Sequence, residues 1–383
     1  MVTNPFAVFL ILTGVVLVAV FLEGRYKLFR SLSAALVGIL LAMVLSNVGL
    51  IPGDSQAYDV LIDPGISLGI VLILLGVNLR TIRQAGPAML AAFGLGALGT
   101  AAGAFLSAMI LAPAVGPETW KLAGQFTGTY NGGGVNFAAL GRAFDTSSEL
   151  FSAAITADVL VTALWMMACL ATPALFARRK RAADESVDQE LDQGQVHSKL
   201  AQALYKSHGS VTLQGICLLA FVAAGSVWGA RQMGEWIPVI PEVLWLTTIA
   251  IAVAQWPPIK NVQGSTLLGY YLLLLFLSTN GAQSVFARII EVGPSVLYFA
   301  LGTVALHGLC IFGLGWLLRM DPATLAVASQ ANVGGPASAM ALAAARGSTH
   351  LVLPGIAVGL LGYAVGNYSG FAIGTLVRSL LGY

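Results

Sequence analysis

Gln125-Phe126-Thr127-Gly128-Thr129-Tyr130-Asn131-Gly132-Gly133-Gly134-Val135-Asn136 has a partner two hundred residues on, Ser329-Gln330-Ala331-Asn332-Val333-Gly334-Gly335-Pro336-Ala337-Ser338. Each sits inside an apolar stretch long enough to be a transmembrane helix, and each carries residues that stop a helix. Three successive glycines cost roughly 1 kcal/mol apiece relative to alanine in a helix interior, and Pro336 removes a backbone donor. A break at membrane depth frees amides and carbonyls that protein, water or ligand must satisfy. The pair therefore predicts two interrupted helices, one in each half of the chain.

Working outward, the composition places both in a bilayer. The 383 residues are 57% hydrophobic and 9% charged, whereas soluble domains carry about 25% charged residues. Of 36 charged side chains, 11 lie between Arg178 and Lys206. A soluble enzyme, a nucleic-acid binder and a secreted disulfide scaffold are excluded. Cys169, Cys217 and Cys310 each lie in apolar runs and read as packing residues. The first apolar run precedes its basic residues, Arg25, Lys27 and Arg30, the reverse of a cleavable signal peptide. It reads as a retained helix with its N-terminus outside.

At about 20 residues per span, twelve segments qualify: 5-23, 31-51, 59-79, 86-113, 119-143, 148-176, 211-233, 238-256, 265-285, 295-318, 322-346 and 350-380. The expected architecture is an all-α polytopic membrane protein. Its first transmembrane half is 1-176, followed by a polar, cytoplasmic linker at 177-210 and a second transmembrane half at 211-383. Leu68-Gly69 and Leu268-Gly269, Gly86-Pro87 and Gly293-Pro294, and the two breaks recur at offsets of 200 to 207 residues. The halves thus read as repeats.

Their orientation conflicts with the count. Basic residues near 25-30, 80-83, 260, 319 and 378 suit an inverted repeat, which needs an odd helix offset between equivalents, and the count is six. With six early spans the Arg178 cluster also lands outside. One segment must be re-entrant, split or miscounted, so the expected number is eleven to thirteen.

The chemistry concentrates at the breaks. Thr129, Asn131, Gly132, Gly133, Gly134 and Asn136 in the first, with Asn332, Gly334, Gly335, Pro336 and Ser338 in the second, are the candidate solute-binding residues. Tight packing explains Gly99, Gly103, Gly362, Gly366 and Gly370, but not amides and hydroxyls flanking glycines in both halves. Asp158 is the acid clearly at mid-span, where insertion costs about 2.5 to 3.5 kcal/mol. It is the candidate Na+ or proton site, with Thr127, Gln330 and Asn367 as further candidate ion ligands. Tyr363, Asn78 and Asn280 are weaker candidates. His307, alone in an apolar run, reads as a packed or hydrogen-bonded histidine rather than a ligand. No enzyme-like residue set, Walker loop or organic cofactor signature appears.

Thr129 to Phe137, Asn332 to Pro336, Leu353-Pro354-Gly355 and Gly366-Asn367-Tyr368 resemble the YjcL-like bacterial membrane proteins of unknown function, over nearly the full chain. That family is similar to the superfamily of cation/proton antiporters and of bile acid:sodium and glutamate:sodium symporters. The resemblance implies two broken helices crossing at mid-membrane, a core moving against a scaffold as in an elevator, Asp158 on the core helix, and a homodimer. Two departures stand: Ala157 occupies a position often polar in antiporters, and the second broken helix offers Gln330, Asn332 and Ser338 in place of an acid. The expected function is secondary transport of a small organic anion, coupled to Na+ or H+, in the inner membrane. A Na+/H+ antiporter without organic solute and a non-transporting regulatory subunit are the alternatives.

Overall fold

The computed structural model describes residues 2-176 and 211-383 except 239, 261 and 285; the linker assigned to 177-210 lies outside the described residues. Every regular element described is helical. The first half runs α1 (Pro5–Arg25), α2 (Lys27–Asn47), α3 (Gln56–Leu74, with a π turn at Leu61–Gly65), α4 (Gly86–Val115), α5 (Thr119–Gly132), α6 (Gly134–Ala143) and α7 (Ser148–Phe176). The second runs α8 (Leu213–Trp236), α9 (Glu242–Ala254), α10 (Ser265–Gln283), α11 (Phe286–Gly308, prolonged by a π turn at Leu309–Leu314), α12 (Pro322–Ala345) and α13 (Val352–Leu381). Seven helices among the described residues are long and apolar enough to cross a membrane: α1, α3, α4, α7, α8, α11 and α13. Helix starts follow local chemistry. At α1 the Asn4 side chain accepts from Phe6 and Ala7 N–H, and Pro5 occupies the first position, where its missing donor costs nothing.

The two broken segments do not cross; each folds back on itself. In the first, Trp120 and Phe144 pack edge to face at 4.9 Å, Lys121 Nζ donates to the Asp145 carbonyl at 2.5 Å, and Gln125 donates to Thr146 at 3.0 Å. Entry arm α5 and return arm α6 are therefore antiparallel, and together they make hairpin 1. In the second, Gly355 faces both Val327 and Ala339. In one straight helix those two would be about 18 Å apart, so α12 doubles back at Gly335 and makes hairpin 2. The expectation of crossing helices is thereby corrected. Glycine permits a turn as readily as a kink, and side chains far along each arm select the turn.

This resolves the parity problem. Hairpin 1 enters and leaves at one end of the bundle, so α1, α2, α3, α4 and α7 make an odd number of passes before the second half begins. The shared end is marked by Asn47, which donates to the Ser284 carbonyl at 2.9 Å, and by Ser284, which donates to the Ser148 carbonyl at 2.9 Å. Helices α3 and α10 run antiparallel, with Gly69 against Leu272 and Gly76 against Thr266. So do α4 and α11, with Gly96 against His307 and Ser107 against Gly302. Residues 200 apart meet directly at these seams. A methyl group on Gly69 would stand 3.2 Å from the Gly269 carbonyl oxygen, and one on Gly103 would stand 2.5 Å from that of Thr303.

Helices α4, α7, α11, α13 and the two hairpins pack mainly among themselves, while α1 to α3 pack with α8 to α10; contacts between the two sets are fewer. Arg25, Arg83, Lys260, Arg319 and Arg346 fall at the hairpin 2 end, and Lys121, Arg142, Arg231 and Arg378 at the hairpin 1 end.

Candidate functional site

The three glycines of hairpin 1 do three different things. Gly132 lies against the Gly362 carbonyl, where a methyl group would overlap it. Gly133 takes φ +86° and ψ 179°, a region essentially reserved for glycine. Gly134 opens the return arm with no atom within 4 Å of where its Cβ would be, and it is exposed. Hairpin 2 repeats the turn at Gly335, with φ 76° and ψ −168°. The tips meet: a methyl group on Gly133 would stand 3.8 Å from the Gly335 Cα, and the Tyr363 ring lies 3.8 to 3.9 Å from both positions.

Helix α13 seats hairpin 1 through a glycine seam. Gly124, Gly128 and Gly132 recur every fourth residue and face Gly370, Gly366 and Gly362 in antiparallel order. Small residues at that spacing let backbones approach closely in a membrane, so the packing expected for Gly362, Gly366 and Gly370 is what the fold contains. Asn136 spans the seam, donating to the Gly362 carbonyl at 3.0 Å and to the Gly128 carbonyl at 3.4 Å. Asn131 donates to Ser369 Oγ at 3.0 Å. The side-chain oxygens of both asparagines are buried and lack a hydrogen-bond partner among the described residues.

Asp158 lies on α7 beside hairpin 1. The hydroxyls of Thr129, Tyr130 and Thr162 stand around its carboxylate, close enough to couple to it. Yet Asp158 Oδ1, Thr129 Oγ1 and Tyr130 Oη close no well-formed hydrogen bond among the described residues. Thr129 precedes the Gly133 turn by four residues, about 6 Å along the helix. Buried polar groups left open in this way are costly and call for a partner. No cluster of three or more His, Cys, Asp or Glu side chains occurs among the described residues, so a cation here would meet one carboxylate with hydroxyl and carbonyl oxygens.

The other sequence candidates divide. Gln330 is fully buried on the entry arm of hairpin 2, with neither amide atom partnered among the described residues. Ser338 donates to the Gly334 carbonyl at 2.9 Å and closes the second tip, and Pro336 packs against Gly359. With its amide nitrogen toward the backbone, Asn332 donates to the Phe93 carbonyl at 3.3 Å and the Ala328 carbonyl at 3.1 Å, fastening hairpin 2 to α4. Thr127 turns to its own helix, donating to the Ala123 carbonyl at 2.7 Å. Asn367 donates to Thr247 Oγ1 on α9 at 2.9 Å. These two are not brought to the tips.

Tyr130, Thr162 and Ser369 were missed as site residues. Thr162 sits four residues after Asp158, which places it on the same helix face; nothing in the sequence pairs Asn131 with Ser369.

His307 ties the assembly together. Its Nδ1 lies 2.9 Å from the Gly96 carbonyl and 3.0 Å from Thr100 Oγ1, and its Nε2 lies 2.8 Å from Ser329 Oγ. A carbonyl can only accept, so Nδ1 carries the proton. Thr100 donates onward to the Tyr130 carbonyl at 3.1 Å, and Trp165 Nε1 donates to Ser329 at 2.9 Å. The Ser329 hydrogen is then free to donate to Nε2. One neutral imidazole thus links the backbone of hairpin 1 to a side chain of hairpin 2. His307→Leu should lower stability by at least about 2 kcal/mol, because buried partners are left unpaired. His307→Gln should recover part of it. Melting curves in detergent read both.

A bundle of apolar helices with two facing re-entrant hairpins defines a polytopic membrane protein. Over residues 7–380 the chain matches the family described as "Protein of unknown function (DUF819)", and it belongs to that family. It is also 30% identical over 381 residues to "Uncharacterized membrane protein YjcL" of Bacillus subtilis (strain 168), covering 95% of this chain and 94% of that protein.

Proposed function

We propose that this protein is a secondary active transporter of a small polar solute, with an organic anion such as a carboxylate or acidic amino acid as the solute class. The observation that carries the reading is the meeting of the two glycine tips, Gly133 and Gly335, inside a bundle of apolar helices. Each tip presents the N-terminus of a return arm, and helix N-termini favour negative groups. Gly134 and Ala337 are exposed beside tip residues that are buried or half-buried. The Asp158 cluster, about one turn from the first tip, supplies a place for Na+ or a proton.

The antiparallel seams at residues 200 apart support an inverted duplication, and that symmetry suits alternating exposure of one site to two sides. The two helix sets support an elevator-like motion of the hairpin-bearing set against the other. The basic residues gathered at the hairpin 2 end suit a cytoplasmic location for that end in a plasma membrane. Hairpin 1 then enters from outside and hairpin 2 from inside.

Reconstituted vesicles test the proposal. An imposed inward Na+ or proton gradient should drive uptake of a labelled carboxylate or acidic amino acid above that of protein-free vesicles. Cation exchange with no solute present would instead favour a Na+/H+ antiporter, the reading that the separate Asp158 cluster supports. Absence of any flux across the panel and in both gradients would count against transport itself.

A further inference from the structure

We propose that Asp63, Arg142, Arg231 and Glu242 form an ion-pair latch that holds the hairpin 1 end of the bundle shut. What the latch regulates rests on the reading of the hairpin tips as a solute site; its existence as a tie between helix sets does not.

Arg142 lies in the last turn of return arm α6. Its guanidinium reaches Asp63 Oδ1 at 2.8 Å and Glu242 Oε1 at 3.6 Å. Arg231, near the end of α8, pairs with the same Asp63 oxygen and approaches Glu242 Oε1 at 3.8 Å. Asp63 belongs to the π turn within α3, and Glu242 is the first residue of α9. Three of the four residues therefore belong to the helix set that packs around α10, and the fourth belongs to hairpin 1. A further ion pair, Lys121–Glu118, is local to the start of α5.

The charges balance, two positive and two negative, with each arginine shared between both acids. Their side chains are 22 to 46% exposed. Exposed pairs are individually weak and salt-sensitive, as suits a contact that must open repeatedly. Removing one acid does more than delete a pair, since it leaves two arginines facing one carboxylate. Hairpin 2 has no matching tie among the described residues. At its open end Arg346 donates to the Leu170 carbonyl at 2.8 Å and the Cys169 carbonyl at 3.5 Å, both on α7 in its own helix set. The latch is one-sided, so it favours one closed end over the other.

Labelling of a cysteine at the tip tests this in the full chain. Cys169, Cys217 and Cys310 are replaced by Ala, and Gly134→Cys provides the reporter, since its Cβ meets no atom within 4 Å. Oriented proteoliposomes are treated with a membrane-impermeant maleimide from the hairpin 1 face. Asp63→Asn should raise the labelling rate about fivefold, the population shift expected from losing roughly 1 kcal/mol. About 1 M salt, where the Debye length is ~3 Å, should raise it without any substitution. An equal rate in parent, single variant and high salt overturns the latch, and the salt arm decides even if a variant folds poorly. A rate that moves in a protein showing no solute or cation flux leaves the latch standing and sinks the transport reading. Solute uptake with an unmoved rate does the reverse.

Discussion

Asp158→Asn is expected to remove the thermal stabilisation that Na+ gives the purified protein over choline at matched ionic strength. The substitution keeps the shape of the side chain and replaces one oxygen with a donor nitrogen. A cation held by Asp158 with the Thr129, Tyr130 and Thr162 hydroxyls would lose its one formal charge partner. At a Na+ concentration about 100 times its dissociation constant, the bound state gains roughly 2.7 kcal/mol, a clear rise in melting temperature. The wild type should show that rise and the variant should not. Without Na+ the variant should be no less stable, because an amide is easier to bury than a carboxylate. Equal Na+ responses in both proteins would place the cation elsewhere, or show no specific site. Thr162→Val tests the ligand set more finely, and part of the Na+ response should survive it.

The second large effect is confined to one glycine of three. Gly133→Ala should cost about 1 to 3 kcal/mol, because φ +86° with ψ 179° is strained for any residue with a Cβ. Gly134→Ala, one position on, should change stability by no more than about 0.5 kcal/mol, as surface substitutions away from special features do. Its backbone is ordinary and the space is open. Gly335→Ala should repeat the Gly133 result at the second tip. Because the tips are the proposed solute site, the Gly133 and Gly335 variants should also lose uptake. Chemical melts of the three variants side by side make the comparison. Similar losses at Gly133 and Gly134 would show that tip geometry is not what the first glycine provides.

Much of this was readable in the residues, for identifiable reasons. Placement in a membrane follows from composition, which is a property of the whole chain and independent of how it folds. The two breaks follow from glycine and proline, whose effect on a helix is local. Their matched positions follow from an offset near 200, and a lone polar residue in an apolar run marked His307 as a packed or hydrogen-bonded side chain rather than a ligand. A fault in the count was also visible, as a conflict between the charge pattern and the number of spans, with a re-entrant segment as one of three explanations.

Which segment turns back was not readable. Gly132-Gly133-Gly134 is as compatible with a kinked crossing as with a hairpin, and hydropathy is the same in both. The choice lies in contacts between arms and neighbours: Phe144 returning to Trp120 and stacking on Phe371 at 5.9 Å, and Val327 and Ala339 sharing Gly355. The same holds for the site. Asn131 and Ser369 are 238 residues apart, and Asn136 and Gly362 are 226 apart, so no local pattern relates them. By itself the sequence determined the solvent, the places where helices fail and the polar atoms stored beside them. The tertiary structure alone decided the direction of each arm, the meeting of the tips and the partners of Asp158. Those depend on side-chain packing between distant segments, where one bulky ring seated against another selects between paths that are equal in hydropathy and local propensity.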